Sequence, residues 1–142
     1  MRQILLIALL FLCTSCVSAE PEVELNGRRF TVELATTPKE HALGLMFRDS
    51  MAPDHGMLFI FPSAATRRFW MKNTRIPLDI FYFDQNLKLV SVVEGAKPCH
   101  VAQCPSYPSE GPARYVLELN AGKAAELTAR PGDELVLRLG ER

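Results

Sequence analysis

The sequence predicts a mainly β, single-domain, barrel-like β-sandwich carrying two short helices. Three observations support this. Short apolar runs, alternating as in Phe30-Thr31-Val32-Glu33-Leu34 or continuous as in Gly56 to Phe61, recur between turn residues along the chain. Asn26-Gly27 and Pro131-Gly132-Asp133 supply the backbone freedom that tight turns demand. Helical signals are confined to two stretches, one after Thr37 and one after Asn120.

Val23 to Leu25, Asn26-Gly27 and Arg28 to Ala35 form the expected first hairpin, with Phe30, Val32 and Leu34 on its buried face. Thr37-Pro38-Lys39-Glu40 is a capping box with proline at the first helical position, so a short helix should run from Pro38 toward Met46. Gly56 to Pro62 is apolar on both alternations and stopped by proline, the pattern of a strand covered on both faces. Strands should follow at Arg68 to Lys72, Leu78 to Phe83 and, after the turn Asp84-Gln85-Asn86, Leu87 to Val93. The stretch from Gly95 to Pro112 is rich in Pro, Gly, Ser and Cys and is expected to be a long ordered loop. Tyr115 to Leu119 reads as a strand, Asn120 is placed to cap a short helix through Leu127, and Glu134 to Leu139 is the last strand.

Residues 1–19 have the order of a secretory signal: Met1-Arg2-Gln3, an apolar run from Ile4 to Leu12, then small and polar residues to Ala19. The run is nine residues, against about 20 for a membrane span. Cleavage after Ala19 would release residues 20–142 as one globular domain into the periplasm. Cleavage before Cys16, in Cys13-Thr14-Ser15-Cys16, would instead leave a lipid-anchored envelope protein. Sixteen basic residues balance sixteen acidic ones, so nothing in the charge favours a nucleic acid or an anionic membrane as partner. Cleavage after Ala19 would leave Cys99 and Cys104, and an oxidising compartment predicts a disulfide between them. Adjacent Cys99 and His100 seldom reach one ion together, so a metal cluster is the lesser reading.

The blocks Gly44-Leu45-Met46-Phe47-Arg48, Gly56-Met57-Leu58-Phe59, Phe69-Trp70-Met71-Lys72-Asn73-Thr74 and Pro77-Leu78-Asp79-Ile80 resemble domain-of-unknown-function family 192. The resemblance continues through Cys99, Cys104-Pro105-Ser106-Tyr107, Tyr115 to Gly122 and Pro131-Gly132-Asp133, nearly the whole mature chain. It implies a small, mainly β protein, often exported or lipid-anchored in bacteria. It carries no substrate, cofactor or catalytic residue.

Chemistry is densest from Arg67 to Asp79, around the lone tryptophan. On a strand Arg68, Trp70 and Lys72 share one face. With Arg48, Asn73, Asp79, Tyr107 and Glu118 they make a candidate binding set for a sugar or an anionic small molecule. The competing structural reading buries Trp70 as a core aromatic, bonds Asn73 and Thr74 into the turn, and pairs Lys72 with Asp79 or Glu118. Those two are the carboxylates set within apolar strands, where ionised groups need partners such as Arg48, Arg68, Lys72 or Arg114. No nucleophile elbow or phosphate loop is present in the sequence, and no metal or cofactor is expected. The leading functional expectation is therefore a non-catalytic periplasmic or envelope domain binding a small molecule or glycan. One alternative is a hydrolase of envelope glycan, with Asp79 and Glu118 as acid and base. The other is an envelope protein-interaction module using an apolar patch at Phe47, Met51 and Met57.

Overall fold

The computed structural model describes residues 20–140. The expected signal segment, including Cys16, lies outside the described residues. The elements are β1 (Glu22–Leu25), β2 (Arg28–Ala35), α1 (Pro38–Leu43), β3 (His55–Trp70), β4 (Leu78–Phe83), β5 (Leu89–Ala96), β6 (Ser106–Asn120), α2 (Lys123–Leu127) and β7 (Leu135–Arg138). The strands make one seven-stranded sheet in the order β5-β4-β6-β3-β2-β1-β7, antiparallel except where β2 runs parallel to β3. The sheet curls until its edges meet at one end. There Lys88 bridges Glu134, and Leu89 N–H donates to the Asp133 carbonyl at 2.8 Å. The result is a mainly β half-barrel with two short helices, as the sequence predicts.

Curling divides the core between two faces. Inside lie Val23, Phe30, Leu58, Phe81, Leu117 and Leu135, drawn from six strands and closed at one side by Ala124 and Leu127 of α2. Outside, Met57, Phe59, Ile80, Tyr82 and Val116 form a second layer. It is covered by Leu45 after α1, by Met71 after β3 and by Cys99 after β5. The central strands are thus buried on both sides, which explains why every residue of β4 is buried, Asp79 included.

Local chemistry accounts for the turns that position these layers. Asn26 and Gly27 both take positive φ (48° and 78°), as the β1–β2 hairpin requires. The capping box is formed: Thr37 Oγ1 accepts from Glu40 N–H, and Glu40 accepts from Thr37 N–H at 2.9 Å and Thr36 N–H at 2.7 Å. These donors favour the ionised form and lower the Glu40 carboxyl to about 2. The helix ends at Leu43, short of Met46, because Gly44 turns out of it at φ 47° while its N–H donates to the Glu40 carbonyl.

Four other expectations are corrected. Pro62 does not end its strand; β3 continues to Trp70, and the proline falls where pairing with β6 is interrupted between Ile60 and Ala65. Most of the expected long loop shrinks to residues 97–105, since Ser106 to Pro112 pair with residues of the outer half of β3. The strand expected at Leu87 to Val93 is displaced to Leu89–Ala96, after a positive-φ Leu87 (62°). Asn120 does not cap α2; its amide donates to the Met51 and Ala52 carbonyls at 3.0 and 3.1 Å. The helix starts from Gly122 at φ 95° without a side-chain cap of its own. Among the described residues no helix is long and apolar enough to cross a membrane.

Candidate functional site

Three loops cover the outer layer and are stitched together by backbone bonds. Phe47 N–H donates to the Asn73 carbonyl at 2.8 Å, Asn73 N–H to the Cys99 carbonyl at 2.9 Å, and Cys99 N–H to the Met71 carbonyl at 3.1 Å. Positive φ at Phe47 (65°) and Asn73 (56°) lets the chain make these contacts. The Cys99–Cys104 disulfide closes the third loop. Gly44 lets the first loop approach the sheet: a Cβ there would come within 3.3 Å of the Phe59 ring.

Beneath the loops runs a narrow slot of about 30 Å³, walled by Leu45, Phe59, Phe69, Trp70 and Thr74 and floored by Glu118. That is room for one or two water-sized groups. Glu118 reaches it because β6 alternation puts it on the outer face with Val116, in register with Met57 of β3 and Ile80 of β4. The residue is 4% exposed. Among the described residues it has no hydrogen-bond or ion-pair partner. Desolvation alone pushes its carboxyl up to about 8, so at neutral pH it is mostly protonated. Its charge in turn helps burial push Tyr82 up, and that phenol stays neutral, donating to the Tyr107 carbonyl at 2.6 Å.

The slot opens beside a shallow groove of about 400 Å³ between α1 and outer β3, lined by Pro38, His41, Phe61, Arg68 and Trp70. Phe59 and Phe69 meet edge-to-face at 4.9 Å, and Phe69 meets Tyr82 the same way at 5.8 Å, which fixes the aromatic wall. His41 Nε2 lies 2.9 Å from the Ala35 carbonyl and 3.2 Å from that of Ile60, and so holds α1 against the sheet.

The structure disperses the candidate set drawn from the sequence. Trp70 is 51% exposed, which removes the reading of it as a core aromatic. Lys72 Nζ lies 5.6 Å from its ring centroid and pairs with neither Asp79 nor Glu118. Arg68 and Trp70 both line the groove. Arg48 forks onto Glu33 instead. Arg114 donates to the Phe61 carbonyl at 3.3 Å, and among the described residues no arginine or lysine pairs with either strand carboxylate. Asn73 acts through its backbone, and Tyr107 sits opposite Phe69 in the β3–β6 ladder. Asp79 points to the inner face, where Gly95 N–H and Ala124 N–H donate to it at 2.7 and 2.8 Å. The carboxylates of the hydrolase alternative therefore lie on opposite faces of the sheet and share no cleft. Of the apolar patch, Phe47 is exposed, Met51 packs on the outer layer and Met57 is buried.

The candidate binding set drawn from the sequence did not include His41, Phe59, Phe69 or Thr74. The signal that could have found them was the parity of Glu118 with Val116, which aims a carboxyl at the same layer as the aromatic residues of β3. It also passed over a polar row on β2 and β3. There Thr31 Oγ1 lies 2.8 Å from His55 Nδ1, and His55 Nε2 lies 3.2 Å from Glu33, whose carboxyl Arg48 and His55 hold below its ordinary value. The order hydroxyl, imidazole, carboxylate is that of a hydrolytic triad. Here, however, the neighbouring Thr31 and Val32 N–H groups are bonded to Asp54 and Pro21 carbonyls, which leaves them unavailable as oxyanion donors. The row reads as a tie between the parallel strands.

Two solved structures are similar to this chain. A protein of Sinorhizobium meliloti 1021, described as a candidate transcription regulator, is 42% identical with a TM-score of 0.76, covering 87% of this chain and 98% of its own. A protein of unknown function from Novosphingobium aromaticivorans DSM 12444 is 35% identical with a TM-score of 0.74, covering 86% of this chain and 89% of its own. No curated protein matches. The family model that matches, over residues 21–137, is DUF192, described as "Uncharacterized ACR". The chain belongs to the DUF192 family, whose function is uncharacterised.

Proposed function

We propose that this protein is a non-catalytic binding domain for a small molecule or glycan, exported to the periplasm or anchored in the envelope, with its site at the Glu118 slot and the Trp70 groove. The observation that supports the reading is a buried carboxyl without a protein partner, aimed into a slot beside a half-exposed tryptophan. Buried polar groups are almost always satisfied, so one left open toward a cavity suggests a ligand group that completes it. An exposed indole is the natural platform for the apolar face of a sugar or similar body. The non-catalytic part rests on the slot holding one free carboxyl, with His41 engaged by two carbonyls.

The description of the Sinorhizobium relative suggests DNA as an alternative partner. Balanced charge speaks against it, as do helices of six and five residues, too short to lie along a major groove.

Trp70 is the sole tryptophan, so its fluorescence reports directly on the groove. Titrating the processed exported protein with N-acetylglucosamine oligomers and small envelope metabolites should give saturable quenching and a thermal shift. The thermal shift should be lost in Trp70→Ala. Absence of any saturable response across the set, with Trp70→Ala indistinguishable from wild type, would overturn the reading.

A further inference from the structure

We infer that the slot receives a primary ammonium group carried on a neutral or anionic body; the inference rests on the binding reading above and names its ligand class. Glu118 is the starting point. A carboxyl that is 4% exposed and unpartnered among the described residues is best completed by a cation delivered with the ligand. The walls suit that cation. Phe59, Phe69 and Trp70 surround the slot, and aromatic rings attract ammonium groups through their π faces. Trp70 already has the Lys72 ammonium 5.6 Å from its centroid, so the ring is accessible to such a group.

Size narrows the class. About 30 Å³, room for one or two water-sized groups, suits an –NH3+ head better than a trimethylammonium or a guanidinium. Thr74, 5% exposed and also lining the slot, offers a hydroxyl oxygen as a second acceptor for the three ammonium protons. The mouth has the opposite sign: Arg68 lines the groove, Lys72 lies against Trp70, and neither makes an ion pair among the described residues. That rim repels a bare diamine and accepts a neutral or carboxylate-bearing body.

The charges facing Glu118 set a pH signature. They are His41 of α1, whose ring is held by two carbonyls, and Tyr82 of β4, neutral and bonded to Tyr107, with Arg68 in the adjoining groove and Lys72 beside the Trp70 ring. With Glu118 held near 8, an entering ammonium displaces the carboxyl proton to solvent. Affinity should therefore climb about tenfold per pH unit from 6 to 8 and level off between there and the amine's own value of about 10.

The test uses Nα-acetyl-lysine, with one primary ammonium and one carboxylate, against Nα,Nε-diacetyl-lysine, in which the amine is capped. Tryptophan fluorescence and calorimetry at pH 6, 7 and 8 should show binding of the first only. Its affinity should rise with pH in wild type, and it should be at least tenfold weaker and nearly pH-independent in Glu118→Gln. Tetramethylammonium should not compete. If Nα-acetyl-lysine fails while N-acetylglucosamine oligomers bind in a Glu118-dependent way, the ammonium assignment falls and the binding reading stands. If neither probe class binds, both fall.

Discussion

Two buried carboxyls sit one register position apart on neighbouring strands and have opposite fates. Asp79 of β4 pairs with Leu119, and Glu118 of β6 pairs with Ile80, so the two side chains leave the sheet on opposite faces. Asp79 is 0% exposed. One of its oxygens takes the Gly95 N–H, set free where pairing between β4 and β5 shifts register, and the other takes the Ala124 N–H in the first turn of α2. Because α2 has no side-chain cap of its own, Asp79 caps it from across the interior. Glu118 is almost as deeply buried and receives nothing. Burial alone does not separate architecture from function here; the presence or absence of protein partners does.

The largest effect should come from Asp79. Replacing it with Ala leaves the buried Ala124 N–H and the part-buried Gly95 N–H without their acceptor, at a cost of about 3–4 kcal/mol. Asp79→Asn retains one amide oxygen and turns an NH2 toward the other donor, so it should recover about half of that. Urea denaturation checks both, with hydrogen exchange in α2 as the local readout. A loss below about 1 kcal/mol for Asp79→Ala would mean the corner is held by packing alone and would remove one side of the comparison.

How much of this was legible in the sequence follows from the range of the interactions. The Asn26-Gly27 hairpin, the capping box at Thr37 and the burial of Gly56 to Phe59 on both faces are set by neighbours in the chain, and each formed as expected. The strand at Ser106 to Pro112 contains two prolines and looks irregular until its distant partner at Thr66 to Trp70 is known. Asn120 is a plausible helix cap by local pattern, yet carbonyls at Met51 and Ala52 claim its amide. Asp79 and Glu118 stand out in the sequence as carboxylates within apolar strands, but their relative faces depend on β4–β6 register, and a one-residue slip would reverse them. Trp70 was marked as central, while its exposure depends on where three separate loops fold over.

The second effect grows with pH. Glu118 is raised from an ordinary 4.5 to about 8, so the native state binds a proton that the unfolded chain releases. Stability from this group is complete below about 4.5 and is lost as pH climbs to about 8. Glu118→Gln should therefore match wild type near pH 5 and exceed it at pH 8.5, by on the order of 3 kcal/mol. Urea midpoints at the two pH values measure it. Asp79→Asn should remain destabilised at both, which sharpens the contrast. Equal midpoints for Glu118→Gln and wild type at pH 8.5 would show that some protein group satisfies the carboxylate.

The smallest effect on stability, about 2 kcal/mol, should follow from opening the Cys99–Cys104 bridge, since it closes a short loop with a sequence separation of 5. Its effect on the slot should be disproportionate. Cys99 is bonded to Met71 and Asn73, and Asn73 in turn accepts from Phe47, so one loop anchors both others that cover Glu118. In Cys104→Ser, Trp70 emission should shift and probe affinity should fall. Hydrogen exchange at Ala124 should stay as slow as in wild type, because the Asp79 corner lies on the other face of the sheet. If α2 loosens as well, the two faces are one cooperative unit. An unchanged α2 with a loosened slot would show that the fold keeps its cap and its binding site on separately held layers of the same strands.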